Sequence, residues 1–285
     1  MRFEWCFMAC DFAFLDSGTG GIPYMLDLKR KSPESRCLYL GDTEHFPYGE
    51  KTSSLITECA SEAINRILES WSPRTIVIAC NTISVTALEE LRERFSDIPI
   101  VGTVPAIKVA ANVTRNRRIG LLATAATVSH PYCLRLIEDF ARGCTVIKRA
   151  DPELISFIEH DLFTAGIEER RAAVKPSVDF FKDSGCDTIV LGCTHFTHVA
   201  DDVSFVAGDG ITVVDSRDGV ANQALRVEKE FILRSGGLKK TQAEEKSLPP
   251  DQSFFVTSLK SAAEDLEYSS LCRRFGIPWG GLLPA

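Results

Sequence analysis

Two short stretches of this chain are near copies of one another, and they constrain its fold more than any other feature. Thr75-Ile-Val-Ile-Ala-Cys80-Asn-Thr82 and Thr188-Ile-Val-Leu-Gly-Cys193-Thr-His195 are each a β-branched apolar run ending on a cysteine, followed by small hydrogen-bonding side chains. Such runs read as buried parallel strands, each delivering a thiol at its carboxyl end. In open α/β sheets ligands bind just beyond those ends, so two thiols from duplicated halves would face one another across a shared crevice. Two acid/base groups facing one carbon is the geometry of a two-base enzyme. The absence of metal-ligand spacing fits that reading: Cys193 and His195 are two residues apart and lack a C-x-x-C partner.

With 285 residues, 45% of them hydrophobic and 25% charged, the chain can bury a substantial core and divide into two domains. A net charge of -7 argues against nucleic acid as the main partner, because phosphate binding needs clustered Lys and Arg. No apolar run approaches the roughly 18 residues of a membrane span. Glu4 and Asp11 interrupt the apolar N-terminus, and no small-residue cleavage site follows, which argues against a secretory signal. The ten cysteines are scattered rather than arranged as a dense framework, consistent with a reducing cytoplasm.

Taken in order, Phe12 to Leu15 is a strand that runs into Asp16-Ser-Gly-Thr-Gly-Gly21, a glycine-rich turn opening a helix. The functional reading is that amides of this turn hold an anionic group, with Asp16 poised at the strand end; the alternative is a turn needed only for tight packing. Arg36 to Leu40 is a strand, followed by an ordered loop, Gly41 to Gly49, in which Asp42 and Tyr48 could orient a polar substrate. Thr52 to Ser70 reads as a covering helix, with Ser53 or Thr52 as its N-cap. Cys80 precedes a helix from Ser84 to Phe95, a position where the helix dipole stabilises a thiolate. Beyond a strand at Ile98 to Gly102, the second half opens with Ile119 to Thr124, which again puts hydroxyls, those of Thr124 and Thr127, where strand gives way to helix. Cys144 to Lys148 is a strand, Pro152 to Leu162 a helix carrying Glu159, and Pro176 should kink or divide the helix from Glu168 to Ser184. Ile211 to Ser216 echoes Phe12 to Ser17, a second sign of duplication. A helix from Asp218 to Leu233, a polar linker from Ser235 to Ser253, a strand at Phe254 to Thr257 and a helix from Ala262 to Phe275 close the chain.

Asp16-Ser-Gly-Thr-Gly-Gly21, Gly41-Asp42 with Pro47-Tyr-Gly49, Cys80-Asn-Thr82, Ala123-Thr124 with Thr127-Val128, and Gly192-Cys-Thr-His195 together resemble the glutamate racemases of the aspartate/glutamate racemase family, and the motifs arrive in family order. The resemblance spans residues 11 to 276. It implies an α/β fold of two flavodoxin-like three-layer domains with mainly parallel sheets in pseudo-twofold relation. The first domain would hold residues 1–104 and 217–285, the second residues 105–216, with the active site in the cleft between them. It implies Cys80 and Cys193 as the bases, assisted by Asp16, Glu159 and His195. Asp16, Ser17, Pro47, Tyr48, Gly49, Asn81, Thr82, Thr124, Thr127, Thr194 and His195 would line the substrate. Departures from the pattern are Thr19 in place of an aliphatic residue, Phe196-Thr-His198 in place of Tyr-Pro, and Pro176 within a helix.

The implied reaction is interconversion of L- and D-glutamate without pyridoxal phosphate or metal, in the cytoplasm, supplying D-glutamate for peptidoglycan; a homodimer is open as an assembly. An α-hydrogen is very weakly acidic, so such an enzyme needs a strong base on one face, a proton donor on the other and electrostatic stabilisation of a carbanionic transition state. By resemblance Cys80 acts on the D enantiomer and Cys193 on the L. The alternatives are an aspartate or related amino-acid racemase, a non-catalytic binding or regulatory protein on the same fold, and a dithiol redox protein, which would need the two Cα atoms within about 7 Å.

Overall fold

A computed structural model of the chain describes residues 10–234 and 249–283. The N-terminal segment read as lacking a secretory signal, and residues 235–248 of the polar linker, lie outside the described residues. Through the first half run β1 (Phe12–Asp16), α1 (Ile22–Lys31), β2 (Cys37–Gly41), α2 (Ser53–Trp71), β3 (Thr75–Ile78), α3 (Asn81–Arg94), β4 (Ile100–Gly102) and α4 (Ile107–Val113). Then come β5 (Arg118–Ala123), α5 (Ala125–Ser129), α6 (Pro131–Phe140), β6 (Thr145–Ala150), α7 (Pro152–His160), α8 (Ile167–Asp183), β7 (Thr188–Leu191), α9 (Ala200–Ala207) and β8 (Thr212–Val214). The chain closes with α10 (Arg217–Arg234), β9 (Phe254–Val256), α11 (Ala262–Phe275) and β10 (Trp279–Leu282).

The strands form two sheets, one of six strands in the order β10-β9-β2-β1-β3-β4 and one of four in the order β6-β5-β7-β8. Every pairing in both is parallel. Within each sheet the first strand lies between the second and the third, and the fourth lies outside the third, which is the flavodoxin-like winding. The repeated cysteine strands, β3 and β7, therefore occupy the same place in matching sheets. The echo between Ile211 to Ser216 and β1 has no such counterpart, because β8 holds the place of β4. The likeness there is one of composition, an apolar run ending in Asp-Ser, and not of position.

Strands apolar at every residue are explained by burial on both faces. In β1, Ala13 and Leu15 pack with Ile56, Ile64, Ile67 and Trp71 of α2, while Phe12 and Phe14 pack with Ile22, Met25 and Leu28 of α1 and Val220 and Ala224 of α10. In β5, Leu122 faces Ile158, Val178 and Phe181, while Ile119 and Leu121 face Ile107 and Cys133. Each sheet is the middle of three layers, and α10 carries the chain back from the second sheet to the first. Pro176 does not divide α8, which runs unbroken from Ile167 to Asp183. Proline removes one helix hydrogen bond, but Val174, Val178 and Phe181 on either side of it are anchored in the second core and hold the helix in line.

Candidate active site

The winding brings the carboxyl ends of β1, β3, β5 and β7 to one region, and the candidate residues hang from them. Cys80 follows β3 and is itself the N-cap of α3, which begins at Asn81 rather than Ser84. Cys193 follows β7 through Gly192, and the chain then turns through a short 3-10 segment, His195–Val199. Both cysteines line one cavity of about 360 Å³, together with Ser17, Tyr48, Asn81, Thr82, Thr124, Thr194 and His195. Pro47 and Gly49 from the loop after β2 close another side. Three candidates stand behind this wall rather than in it. Asp16 is wholly buried, Glu159 backs His195, and Thr127 turns its hydroxyl to Thr124, which donates to it at 2.9 Å.

Around Cys80 the groups come chiefly from the first sheet. Asp16 accepts from the Ser17 amide at 2.7 Å and from the Thr194 hydroxyl at 3.2 Å, and the Cys80 thiol beside it donates to Ser17 Oγ at 4.0 Å. Burial pushes the Asp16 carboxyl up, against the lowering pull of His195 and the Ser17 amide. Burial, and then the adjacent Asp16, push the Cys80 thiol well above its ordinary value, while the Ile83 amide in the first turn of α3 pulls the other way. Cys193 is also close enough to Cys80 for a second negative sulfur to disfavour ionisation of the first.

Around Cys193 the arrangement is a hydrogen-bonded arm. The Cys193 sulfur lies 3.7 Å from His195 Nδ1, and His195 Nε2 lies 2.8 Å from Glu159 Oε2. Burial alone would lower the His195 imidazole, but its bonds to Cys193 and Glu159 outweigh this and hold it well above its ordinary value. Burial alone would raise Glu159, but the bond to His195 and that residue's charge, followed by Thr19, bring it below the usual carboxylate range. The pair is an imidazolium on a carboxylate.

The glycine-rich turn after β1 explains how these groups approach so closely. A Cβ at Gly18 would fall 2.6 Å from Glu159 Oε1, and one at Gly20 would fall 2.7 Å from His195 Nδ1 and 2.8 Å from Asp16 Oδ2. The anionic group held by an amide of the turn is a side chain of the protein: the Thr19 amide lies 3.2 and 3.3 Å from the two Glu159 oxygens. Tyr39 braces the turn, accepting from the Gly21 amide and donating to the Gly18 carbonyl, both at 2.9 Å.

Asp42 differs from its expected part in orienting a polar substrate. It is fully buried and accepts from Tyr48, from Thr257 at 2.7 Å and from His45 at 2.9 Å, so it anchors Tyr48 and the loop. Phe46, Pro152, Ile155 and Ser156 line the cavity without having been singled out in the sequence, as do Glu50 and Ala125. The α7 residues among them carry an ordinary helical pattern, and nothing local marks the face turned to a cavity. Asn81 is 1% exposed, and neither its side-chain oxygen nor its nitrogen has a hydrogen-bond partner. A buried amide without partners is costly, and here it borders the cavity, where a ligand can supply them. The lining contains no Lys or Arg, so carboxylates bound there would be met by hydroxyls, amides and the N-terminus of α3.

The family described as Asp/Glu/Hydantoin racemase matches residues 28–224. A glutamate racemase of Treponema pallidum (strain Nichols) is 38% identical over 273 residues, 95% of this chain and 96% of that protein. One from Proteus mirabilis (strain HI4320) is 40% identical over 210 residues, covering 73% and 72%. Among solved structures, the Escherichia coli glutamate racemase in complex with L-glutamate and the activator UDP-MurNAc-Ala superposes with a TM-score of 0.78 at 28% identity, covering 96% of this chain and 97% of that one. With two matching parallel sheets, a cysteine at the end of the same strand in each, and this agreement along nearly its whole length, the chain belongs to the Asp/Glu/Hydantoin racemase family.

Proposed function

We propose that this protein is a glutamate racemase that moves a proton at the α-carbon between two thiols. The observation that carries the reading is the placement of Cys80 and Cys193 on one cavity, at equivalent strand ends of matching sheets. Its substrate is assigned by likeness to the Treponema and Proteus enzymes. Asn81, Thr82, Thr124 and Thr194, with Ser17 and the loop Pro47-Tyr48-Gly49, are the proposed substrate contacts. Thr127 acts through Thr124.

In the direction begun at Cys193, its sulfur takes the α-proton of L-glutamate and Cys80 returns a proton from the opposite face, giving D-glutamate. Cys80 is suited to that part because it is held as a thiol. In reverse, Asp16 is the group placed to tune the transfer at Cys80, and His195 on Glu159 offers the compensating positive charge at Cys193. No step calls for pyridoxal phosphate or a metal. The bases and their supports come from residues 1–104 and 217–285 on one side and 105–216 on the other, the division we propose for the two domains.

D-Glutamate made here would enter peptidoglycan. A cytoplasmic location fits cysteines that, from Cys37 to Cys272, form no disulfide among the described residues, and no described helix is long and apolar enough to cross a membrane. A homodimer is the assembly we propose. The test is L-glutamate incubated with the enzyme in deuterium oxide, following optical rotation and α-deuterium together. Loss of rotation with matching deuterium uptake is expected. Rotation that persists, turnover only when pyridoxal phosphate is added, or faster turnover of aspartate than of glutamate would overturn the reading.

A further inference from the structure

Glu159 accepts from more than His195. The Thr19 hydroxyl donates to Oε2 at 2.7 Å, the same oxygen that meets His195 Nε2 at 2.8 Å, and the Thr19 amide bridges both carboxylate oxygens. Thr19 is wholly buried. Its own carbonyl accepts from His198 Nε2 at 3.0 Å. The His198 ring is clasped by Phe163 and Phe275, with centroids 5.8 and 5.5 Å away. His195 and His198 lie on the same 3-10 segment, so the bonds close a ring: His195 to Glu159, Glu159 to Thr19, Thr19 to His198, and back through the chain. Thr19 belongs to the turn after β1 in the first sheet, and the other members follow strands of the second.

We propose that Thr19 and His198 are a positioning pair for the His195–Glu159 arm, Thr19 fixing the Glu159 carboxylate against His195 and His198 fixing Thr19. The inference rests on the racemase reading above and adds to it residues that touch no substrate. The geometry leaves the turn little freedom, since Gly18 already sits against Glu159 so closely that a Cβ would collide with it. His198 also holds a single protonation state near neutral pH. Burial lowers it to about 4, against the raising effect of the Thr19 carbonyl, with Glu159 also raising it and His195 and Arg217 lowering it. A neutral imidazole donating from Nε2 keeps the ring intact without setting a second cation beside His195.

Both residues can be tested by isosteric change. Thr19→Val keeps the shape and the amide but removes the hydroxyl from Oε2. A charge-assisted hydrogen bond of this kind supports roughly a tenfold loss in kcat/KM. That loss must be equal from L- and D-glutamate, because enantiomers have the same free energy. The direction appears instead in the isotope effects. A higher barrier at Cys193 makes proton removal from L-glutamate more rate-limiting and removal from D-glutamate less so. Thr19→Val is therefore expected to raise the α-deuterium effect from L and lower it from D, and Thr19→Ser to restore both. His198→Leu should give the same skew to a smaller extent, and His198→Gln, which keeps a side-chain N–H, should give less of it. Unskewed isotope effects in Thr19→Val, or no recovery in Thr19→Ser, would overturn the pair while leaving the racemase reading intact if the unmodified enzyme racemises with primary effects from both enantiomers. If the unmodified enzyme does not racemise, both readings fall.

Discussion

The surroundings of Cys80 and Cys193 have little in common, although the two residues end equivalent strands. Cys80 caps a helix of 14 residues and has a buried carboxyl beside it; Cys193 leads into a short 3-10 segment and has an imidazolium on a carboxylate. The contrast teaches that duplication of a βαβ unit supplies opposed positions, while the acid/base character of each position is set by its neighbours. The neighbours are exchanged crosswise. Thr194, beside Cys193, donates to Asp16 at 3.2 Å, and Thr19, in the turn after Asp16, donates to Glu159 at 2.7 Å. Each half of the site holds a carboxylate of the other half, so the surroundings of neither cysteine come from its own sheet alone.

The largest expected effect falls on the thiols themselves. Cys80→Ser and Cys193→Ser each replace a thiol by a hydroxyl, a far weaker acid, and racemisation should drop by about 10³-fold or more in both, measured by optical rotation. Near-normal turnover in either variant would remove that cysteine from the mechanism. A smaller effect separates the halves. Asp16→Asn and His195→Asn should each lower kcat/KM by roughly 10–100-fold, equally from both enantiomers, yet skew the α-deuterium isotope effects in opposite senses. The effect from D-glutamate should rise in the first variant and that from L-glutamate in the second. The same skew in both variants would contradict the division into two halves.

The smallest effect is on stability and concerns the ring behind Cys193. His198 has its folded value lowered to about 4 from 6.5, so its contribution is fully present above 6.5 and is lost as pH falls from there towards 4, where the unfolded chain binds the proton and the folded one does not. At pH 5.5 the loss is on the order of 1 kcal/mol relative to pH 7.5. Urea unfolding at the two pH values should show that share in the unmodified protein and not in His198→Gln. An equal acid loss in both would place the titration elsewhere.

Much of this architecture was legible because its strands have no polar face. β1, β3, β5 and β7 carry the apolar runs of strands covered on both sides, and Asp16, Cys80, Thr124 and Cys193 at or just past their ends mark where polar side chains reach the site. The N-cap of α2 was legible as Thr52 or Ser53, and it is Thr52, whose side chain accepts from the Leu55 amide. What was hidden depends on partners distant in sequence. That Asp42 is saturated by Thr257, and that the turn amide of Thr19 meets Glu159 140 positions away, are tertiary facts with no local signature. β10 was not foreseen, because Trp279-Gly-Gly-Leu282 has neither alternation nor an apolar run and is held by pairing with β9. Thr19 and His198 stood out only as departures from a family pattern, and the contact that joins them explains both.

The central claim is that the two thiols work on opposite faces of one carbon, and elimination tests it without requiring both. A glutamate analogue chlorinated at the β-position needs one α-proton removed before chloride leaves, so a single surviving thiol suffices. Cys80→Ser should eliminate chloride from the L analogue through Cys193, and Cys193→Ser from the D analogue through Cys80, each with little action on the other enantiomer. Chloride release from the same enantiomer in both variants would contradict the opposed-face arrangement.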